Sequence, residues 1–168
     1  MLLIHEWWGL NSDIVARADA LAKEGFVILV ADAAFAYLSG QPRVLPGKVA
    51  SWGFCFGGSQ SQRLATRQPT LAAVVFYGSG PLQTVEDLGL WSSRTPFLGV
   101  YGKLDKSISV DRVRAFEAAL DAKGIPSTFT LYPGVGHAFV NSTNFTQGGA
   151  PTQAWHQAVE FLKTTLGE

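Results

Sequence analysis

Residues 49–58 read Val-Ala-Ser-Trp-Gly-Phe-Cys-Phe-Gly-Gly, an apolar run entering Gly-x-Cys-x-Gly-Gly, and the stretch from Gly57 to Arg67 has helical character. A strand that turns straight into a helix leaves the backbone few options. The central residue must take a strained conformation, and a side chain two positions away would collide with neighbouring main chain. That is the logic of the nucleophile elbow Gly-x-Ser-x-Gly, here with sulfur in place of the hydroxyl. The turn pushes Cys55 outward. The helix behind it directs amide dipoles at a thiolate and at an oxyanion forming beside it. A buried structural cysteine in an ordinary strand-to-helix turn is the competing reading, and the rest of the chain decides between the two.

Around this element, short β-rich runs alternate with helical ones. Leu2 to His5, Phe26 to Ala31, Val49 to Phe54, Leu71 to Tyr77, Pro96 to Tyr101 and Ser127 to Tyr132 read as strands, most of them continuous apolar runs of the buried parallel kind. Asn11 or Ser12 caps a first helix whose apolar positions Ile14, Val15, Ala18, Leu21 and Ala22 recur at helical spacing, and Gly25 ends it. Further helices are expected over Gly57 to Arg67, Val110 to Lys123 and about Thr152 to Leu166. From Ala33 to Lys48 the rhythm fails, because Gly40, Pro42, Pro46 and Gly47 leave at most a helical turn near Ala33 to Leu38. The alternation predicts a single α/β domain over residues 1–168, a doubly wound and mainly parallel sheet of about six strands with flanking helices. A hydrophobic share of 47% against 15% charged residues suits a sheet covered on both faces.

Several partner classes are excluded. Thirteen basic and thirteen acidic side chains cancel without any block of like charge, so neither nucleic acid nor an anionic membrane surface is expected to bind. No apolar run approaches the ~20 residues of a membrane span. Met1 to His5 is too short and lacks the basic leader of a signal peptide. A single cysteine forms no intrachain disulfide and fits a reducing, cytoplasmic compartment. Three histidines and one cysteine lie scattered without ligand spacing, so no metal is implied. The phosphate-loop pattern is absent, and no cofactor is expected.

A nucleophile at Cys55 needs a base and an orienting carboxylate, in the chain order nucleophile, acid, histidine. His137 lies in the Gly-rich segment Tyr132-Pro133-Gly134-Val135-Gly136-His137-Ala138-Phe139, straight after the last strand; His156 sits within the final helix and reads as a solvent-facing or helix-packing histidine. Asp105 follows the strand Pro96 to Tyr101 and takes the acid's place. Asp32 precedes the nucleophile, Asp111 belongs to a first helical turn after Ser109, and Asp87 reads as a solvated loop residue. An oxyanion hole would use the backbone amide of Phe56 and a second from the loop after Leu2 to His5, at Trp7. His5 in that loop reads as structural. Trp7, Trp8, Phe35, Phe54, Phe56, Tyr77 and Phe139 are candidates for an apolar pocket, with core packing as the default for each.

Taken together, Ile4-His5-Glu6-Trp7-Trp8-Gly9-Leu10-Asn11, the elbow, Gly102-Lys103-Leu104-Asp105 and the His137 segment resemble the dienelactone hydrolase family of α/β-hydrolases. The resemblance implies a Cys55-His137-Asp105 triad that cleaves a small carboxylic ester or lactone through a thioester acyl-enzyme. It also implies that Glu6 contacts the resting thiol and helps convert it to thiolate when substrate arrives; without it, Glu6 would read as a surface charge. Family members usually carry further strands ahead of the one that opens this chain, and a helix-bearing segment where only Ala33 to Lys48 stands here. Members acting on dienelactone bind its carboxylate with arginines, one of them four residues beyond the catalytic histidine, where this pocket has Asn141; Arg43 is a candidate substitute for the other.

A crossover of that length joins parallel strands but leaves no room for a full covering helix. A sheet face or edge left uncovered would be buried by a second copy of the chain, giving a homodimer. Two other functions remain open at this point: a degenerate hydrolase fold acting as an interaction module, and a glutamine-amidotransferase-like cysteine enzyme built on a similar elbow.

Overall fold

The computed structural model describes residues 2–4, 12–26, 29–30, 38, 40–67, 72–78 and 96–167. Among them six strands form one sheet: β1 Leu2–Ile4, β2 Leu29–Val30, β3 Ala50–Phe54, β4 Ala72–Phe76, β5 Phe97–Gly102 and β6 Ser127–Tyr132. Four helices accompany them, α1 Ser12–Lys23, α2 Phe56–Arg67, α3 Val110–Ala122 and α4 Gly149–Leu166. The order across the sheet is β2-β1-β3-β4-β5-β6, and every neighbouring pair is parallel. The chain steps one way from β1 to β2 and the other way from β3 onward. The carboxyl ends of β1 and β3 therefore flank a switch point, where open α/β sheets form their binding crevice.

Which helix covers which face follows from side-chain alternation along β3. Ser51 points to α2, its hydroxyl 2.5 Å from that of Ser61, whereas Trp52 points the other way and packs on Trp155 of α4 with ring centroids 4.8 Å apart. Phe54 shares the Trp52 face, and Arg17 of α1 lies over its ring. On β5, Phe97 meets Phe116 of α3 edge-on, while Tyr101, four residues on and so on the same face, reaches Gln62 of α2. One layer thus holds α1 and α4, the other α2 and α3. The sheet is doubly wound as its alternation of elements predicts. Every residue of β3, β4 and β5 is buried, and apart from Ser51, whose hydroxyl meets that of Ser61, these strands carry no polar side chain but the Tyr101 hydroxyl; the edge strand β6 is partly exposed and mixes Ser and Thr with Phe, Leu and Tyr.

Three expectations need correction at their edges. In α1 the buried stripe is Ile14, Arg17 and Leu21, whereas Val15 is 45% exposed and Ala22 is exposed. Apolar spacing alone tilted the stripe, because a charged residue occupies one of its buried positions. Helix α4 starts at Gly149 rather than Thr152. Pro151 is tolerated in a first turn, and the Thr152 hydroxyl reaches back to accept from Gly148 N–H at 2.7 Å. Phe26, placed at the head of the second strand, is a buried residue ahead of the pairing that Leu29 and Val30 make with β1.

Residues 40–48 are a chain of turns, with Gln41 N–H bonded to Leu38 O and Lys48 N–H to Leu45 O. The predicted helical turn over 33–37 lies outside the described residues, as do Asp32 and Asp87; Leu38 is helical and buried. Among the described residues no helix is long and apolar enough to cross a membrane.

Candidate active site

Cys55 stands between the last residue of β3 and the first of α2 with φ 54°, the left-handed region that a side chain rarely occupies. Its N–H bonds to Phe76 O at 3.0 Å, and its carbonyl accepts from Ser59 N–H at 3.2 Å, so both neighbours hold the strained residue in place. The glycines are there for space. A Cβ on Gly53 would stand 2.0 Å from Gly57 O, and one on Gly78 would stand 2.7 Å from the Gly58 carbonyl carbon. The first turn of α2 thereby lies backbone to backbone against the ends of β3 and β4. Cys55 is half-buried, and Phe56, first residue of α2, is 45% exposed beside it.

The acid and base come from the ends of β5 and β6. Asp105 Oδ1 accepts from Ser107 N–H at 2.8 Å and Ile108 N–H at 3.1 Å, leaving Oδ2 for His137 Nδ1 at 2.7 Å. The two loops are stitched along their backbones: Lys103 N–H bonds to Tyr132 O and Leu104 N–H to Val135 O, each at 2.9 Å. Gly102 allows that approach, since a Cβ there would lie 2.4 Å from Val135 O. On its far side the imidazole places Nε2 3.2 Å from Cys55 Sγ. Asp105, His137 and Cys55 therefore form one hydrogen-bonded row. With Nδ1–H donated to the buried carboxylate, Nε2 is left to accept the thiol proton.

The residues around the row have roles that spacing did not foretell. Tyr77 is fully buried in a left-handed conformation (φ 41°), donates its hydroxyl to Val140 O at 2.9 Å, and sets its ring 5.2 Å from that of His137. Phe54 is fully buried, and Phe139, 8% exposed, packs between Tyr77 and Tyr132. Tyr77 and Phe139 thus form a wall behind the imidazole, whereas Phe54 packs in the core against Trp52, Phe76 and Tyr77. Asn141 accepts from Thr143 N–H and the Thr143 hydroxyl through its side-chain oxygen, while its own N–H bonds to Asn144 Oδ1. Its carboxamide oxygen is engaged in folding the loop after His137. Arg43 is exposed in the turns of residues 40–48, and His156 faces outward from α4. His5, Glu6, Trp7, Trp8 and Phe35 lie outside the described residues.

Two side chains escaped sequence reasoning. Asp13 Oδ1 accepts from Ser142 N–H at 2.7 Å, across 129 residues, and Asp13 is ion-paired with the buried Arg17. Burial pushes the Asp13 carboxyl up, but the hydrogen bonds from Ser142 and the Arg17 charge outweigh that and hold it below its ordinary value of 3.8. The charged form, and the tie it makes, is thus lost only as pH falls below the ordinary carboxylate range. The available signal was a cation on the apolar stripe of α1.

A cavity of about 610 Å³ opens between α1 and α4, floored by Phe145, Trp155 and Val159; it does not include Cys55. Among the described residues no group of three or more His, Cys, Asp or Glu side chains could hold a metal ion.

The model of the dienelactone hydrolase family matches residues 31–166. An Aquifex aeolicus protein provisionally named carboxymethylenebutenolidase is 25% identical, covering 99% of this chain and 88% of its own length. That alignment extends over 206 positions against 168 residues here, so the relative carries residues without counterpart in this chain. Among solved structures, a dienelactone hydrolase-like promiscuous phosphotriesterase from metagenomic libraries superposes with a TM-score of 0.81 at 21% identity, covering 98% of this chain and 85% of that one. A thermophilic esterase from Thermogutta terrifontis gives 0.73 at 15% identity, covering 97% and 80%.

Proposed function

The chain belongs to the dienelactone hydrolase family of carboxylic ester hydrolases, and we propose that it cleaves a small ester or lactone by acyl transfer to Cys55. The observation that carries this reading is the row of contacts from Asp105 through His137 to Cys55, 2.7 Å and 3.2 Å long. Sulfur attacks the carbonyl carbon while the thiol proton passes to His137 Nε2. The N–H groups of Phe56 and Trp7 hold the oxyanion, and Glu6 assists formation of the thiolate as substrate enters. As the carbon–oxygen bond breaks, His137 returns the proton to the departing alkoxide. Water then attacks the thioester, gives its proton to His137, and the acid leaves as Cys55 regains the thiol. Asp105, accepting two backbone bonds on its other oxygen, fixes the imidazole without taking the proton.

Asn141 carries no charge to pair with a carboxylate, which supports a substrate without one at this loop. A nucleophilic thiol functions in a reducing compartment, and we place the enzyme in the cytoplasm. Cys55 is the only cysteine, so a thiol reagent reads it alone. Stoichiometric iodoacetamide is expected to remove p-nitrophenyl acetate hydrolysis in step with alkylation; turnover surviving complete alkylation would refute the assignment of Cys55.

A further inference from the structure

Asp13 and Arg17 stand one turn apart on α1 and reach two separate parts of the active site. The Arg17 guanidinium lies 4.0 Å from the centre of the Phe54 ring, and Phe54 immediately precedes Cys55. Asp13 uses one carboxylate oxygen for Arg17 and the other for the N–H of Ser142, five residues beyond His137. One ion pair thus spans from the nucleophile's strand to the loop that carries the base.

Arg17 is 2% exposed. Taking a guanidinium that far out of water is costly, and an apolar residue of similar volume at such a position is often neutral or stabilising. Stability alone therefore gives a poor account of a charge in the apolar stripe of α1. Geometry gives a better one. The contact that chemistry requires, from His137 Nε2 to Cys55 Sγ, joins residues 82 apart in the chain. Tyr77 anchors the base loop from β4 at Val140, and Asp13 anchors it from α1 at Ser142.

We infer that Asp13 and Arg17 are positioning residues that fix the base loop relative to the elbow and so hold His137 on Cys55. The inference rests on the proposed roles of those two residues. Losing the tie lets the loop drift, and a misplacement of about 1 Å costs on the order of 100-fold in rate.

The test compares wild type, Asp13→Ala, Asp13→Asn and Arg17→Met by kcat and KM for p-nitrophenyl acetate, and by the rate of Cys55 alkylation with iodoacetamide at neutral pH. Asp13→Ala is expected to lower kcat ~10–100-fold while KM changes less than about threefold, since the tie touches no substrate. Alkylation slows with it, because a drifting His137 no longer draws the proton from sulfur. Asp13→Asn still offers an oxygen to Ser142 N–H but turns its N–H2 toward Arg17, and is expected to recover part of the loss. Arg17→Met replaces the charge over Phe54 with an apolar chain, leaves Asp13 free to hold Ser142, and falls between.

Wild-type kcat and alkylation in Asp13→Ala would overturn the inference. So would a loss in Asp13→Asn equal to that in Asp13→Ala, or a loss that only follows the folded fraction by circular dichroism. If Asp13→Ala does not fold, Asp13→Asn and Arg17→Met decide by the same readouts: wild-type alkylation in Arg17→Met overturns it. Turnover that persists in Cys55→Ala would sink the proposed function instead, and the alkylation arm still reads the contact between Cys55 and His137.

Discussion

Cys55→Ala is expected to lower kcat for p-nitrophenyl acetate by roughly 10⁴–10⁶-fold, with the protein still folded. No other thiol exists in the chain to take over, and removing the sulfur leaves only whatever the oxyanion donors contribute. The fold should tolerate the change because Cys55 is half-buried and its backbone, at φ 54°, is held by hydrogen bonds of its own N–H and carbonyl. His137→Ala is expected to cost a comparable amount, and the double variant little more than either single one, since a base without a nucleophile has nothing to activate. Steady-state kinetics beside thermal melts check this. Additive losses would mean that Cys55 and His137 do not act as a unit.

Among the closely packed glycines of the described residues, Gly53 is the one where an added methyl group, as in Gly53→Ala, is expected to have the largest effect on stability. The new Cβ would lie 2.0 Å from Gly57 O, 2.2 Å from Gly57 C and 2.6 Å from Gly58 N, all of them backbone atoms. No side-chain rotation relieves such a contact, so the elbow must open and α2 must shift against β3 and β4. The expected cost is on the order of 4 kcal/mol or more, read as a fall in the urea midpoint at unchanged slope, with hydrolysis lost as well. Gly124→Ala is the control: φ is +64° there but the space is open, so the cost is that of a left-handed alanine, about 1–2 kcal/mol. Equal midpoints for the two variants would show that close approach at the elbow is not what requires glycine.

Much of this architecture was legible because it is written locally. Parallel strands buried on both faces have to be apolar throughout, so Ala72–Phe76 and Phe97–Gly102 announce themselves, and the elbow combines steric demands met by few residues in a fixed order. Chain order then singles out Asp105 and His137, the pair found in hydrogen-bonded contact. Contacts between distant segments leave no such trace. Nothing near Asp13 in the chain signals Ser142, and nothing in the order of residues marks Arg17 off from the other charged residues of its helix or points to its partners on β3 and α1. Tyr77 and Phe139 could be recognised as large aromatics near the site, but not as the wall that holds the imidazole and its loop. Asn141 was legible as a departure from a pattern, whereas its engagement with Thr143 depends on the turn it helps to form.

The most direct measurement is to quench the enzyme with acid during turnover of p-nitrophenyl acetate and map acetylation by peptide mass spectrometry. The expected result is one acetyl group on the peptide containing Cys55, lost on treatment with hydroxylamine and absent from Cys55→Ala. An acetyl group on a serine, or turnover at the wild-type rate with Cys55 never acylated, would contradict acyl transfer to sulfur.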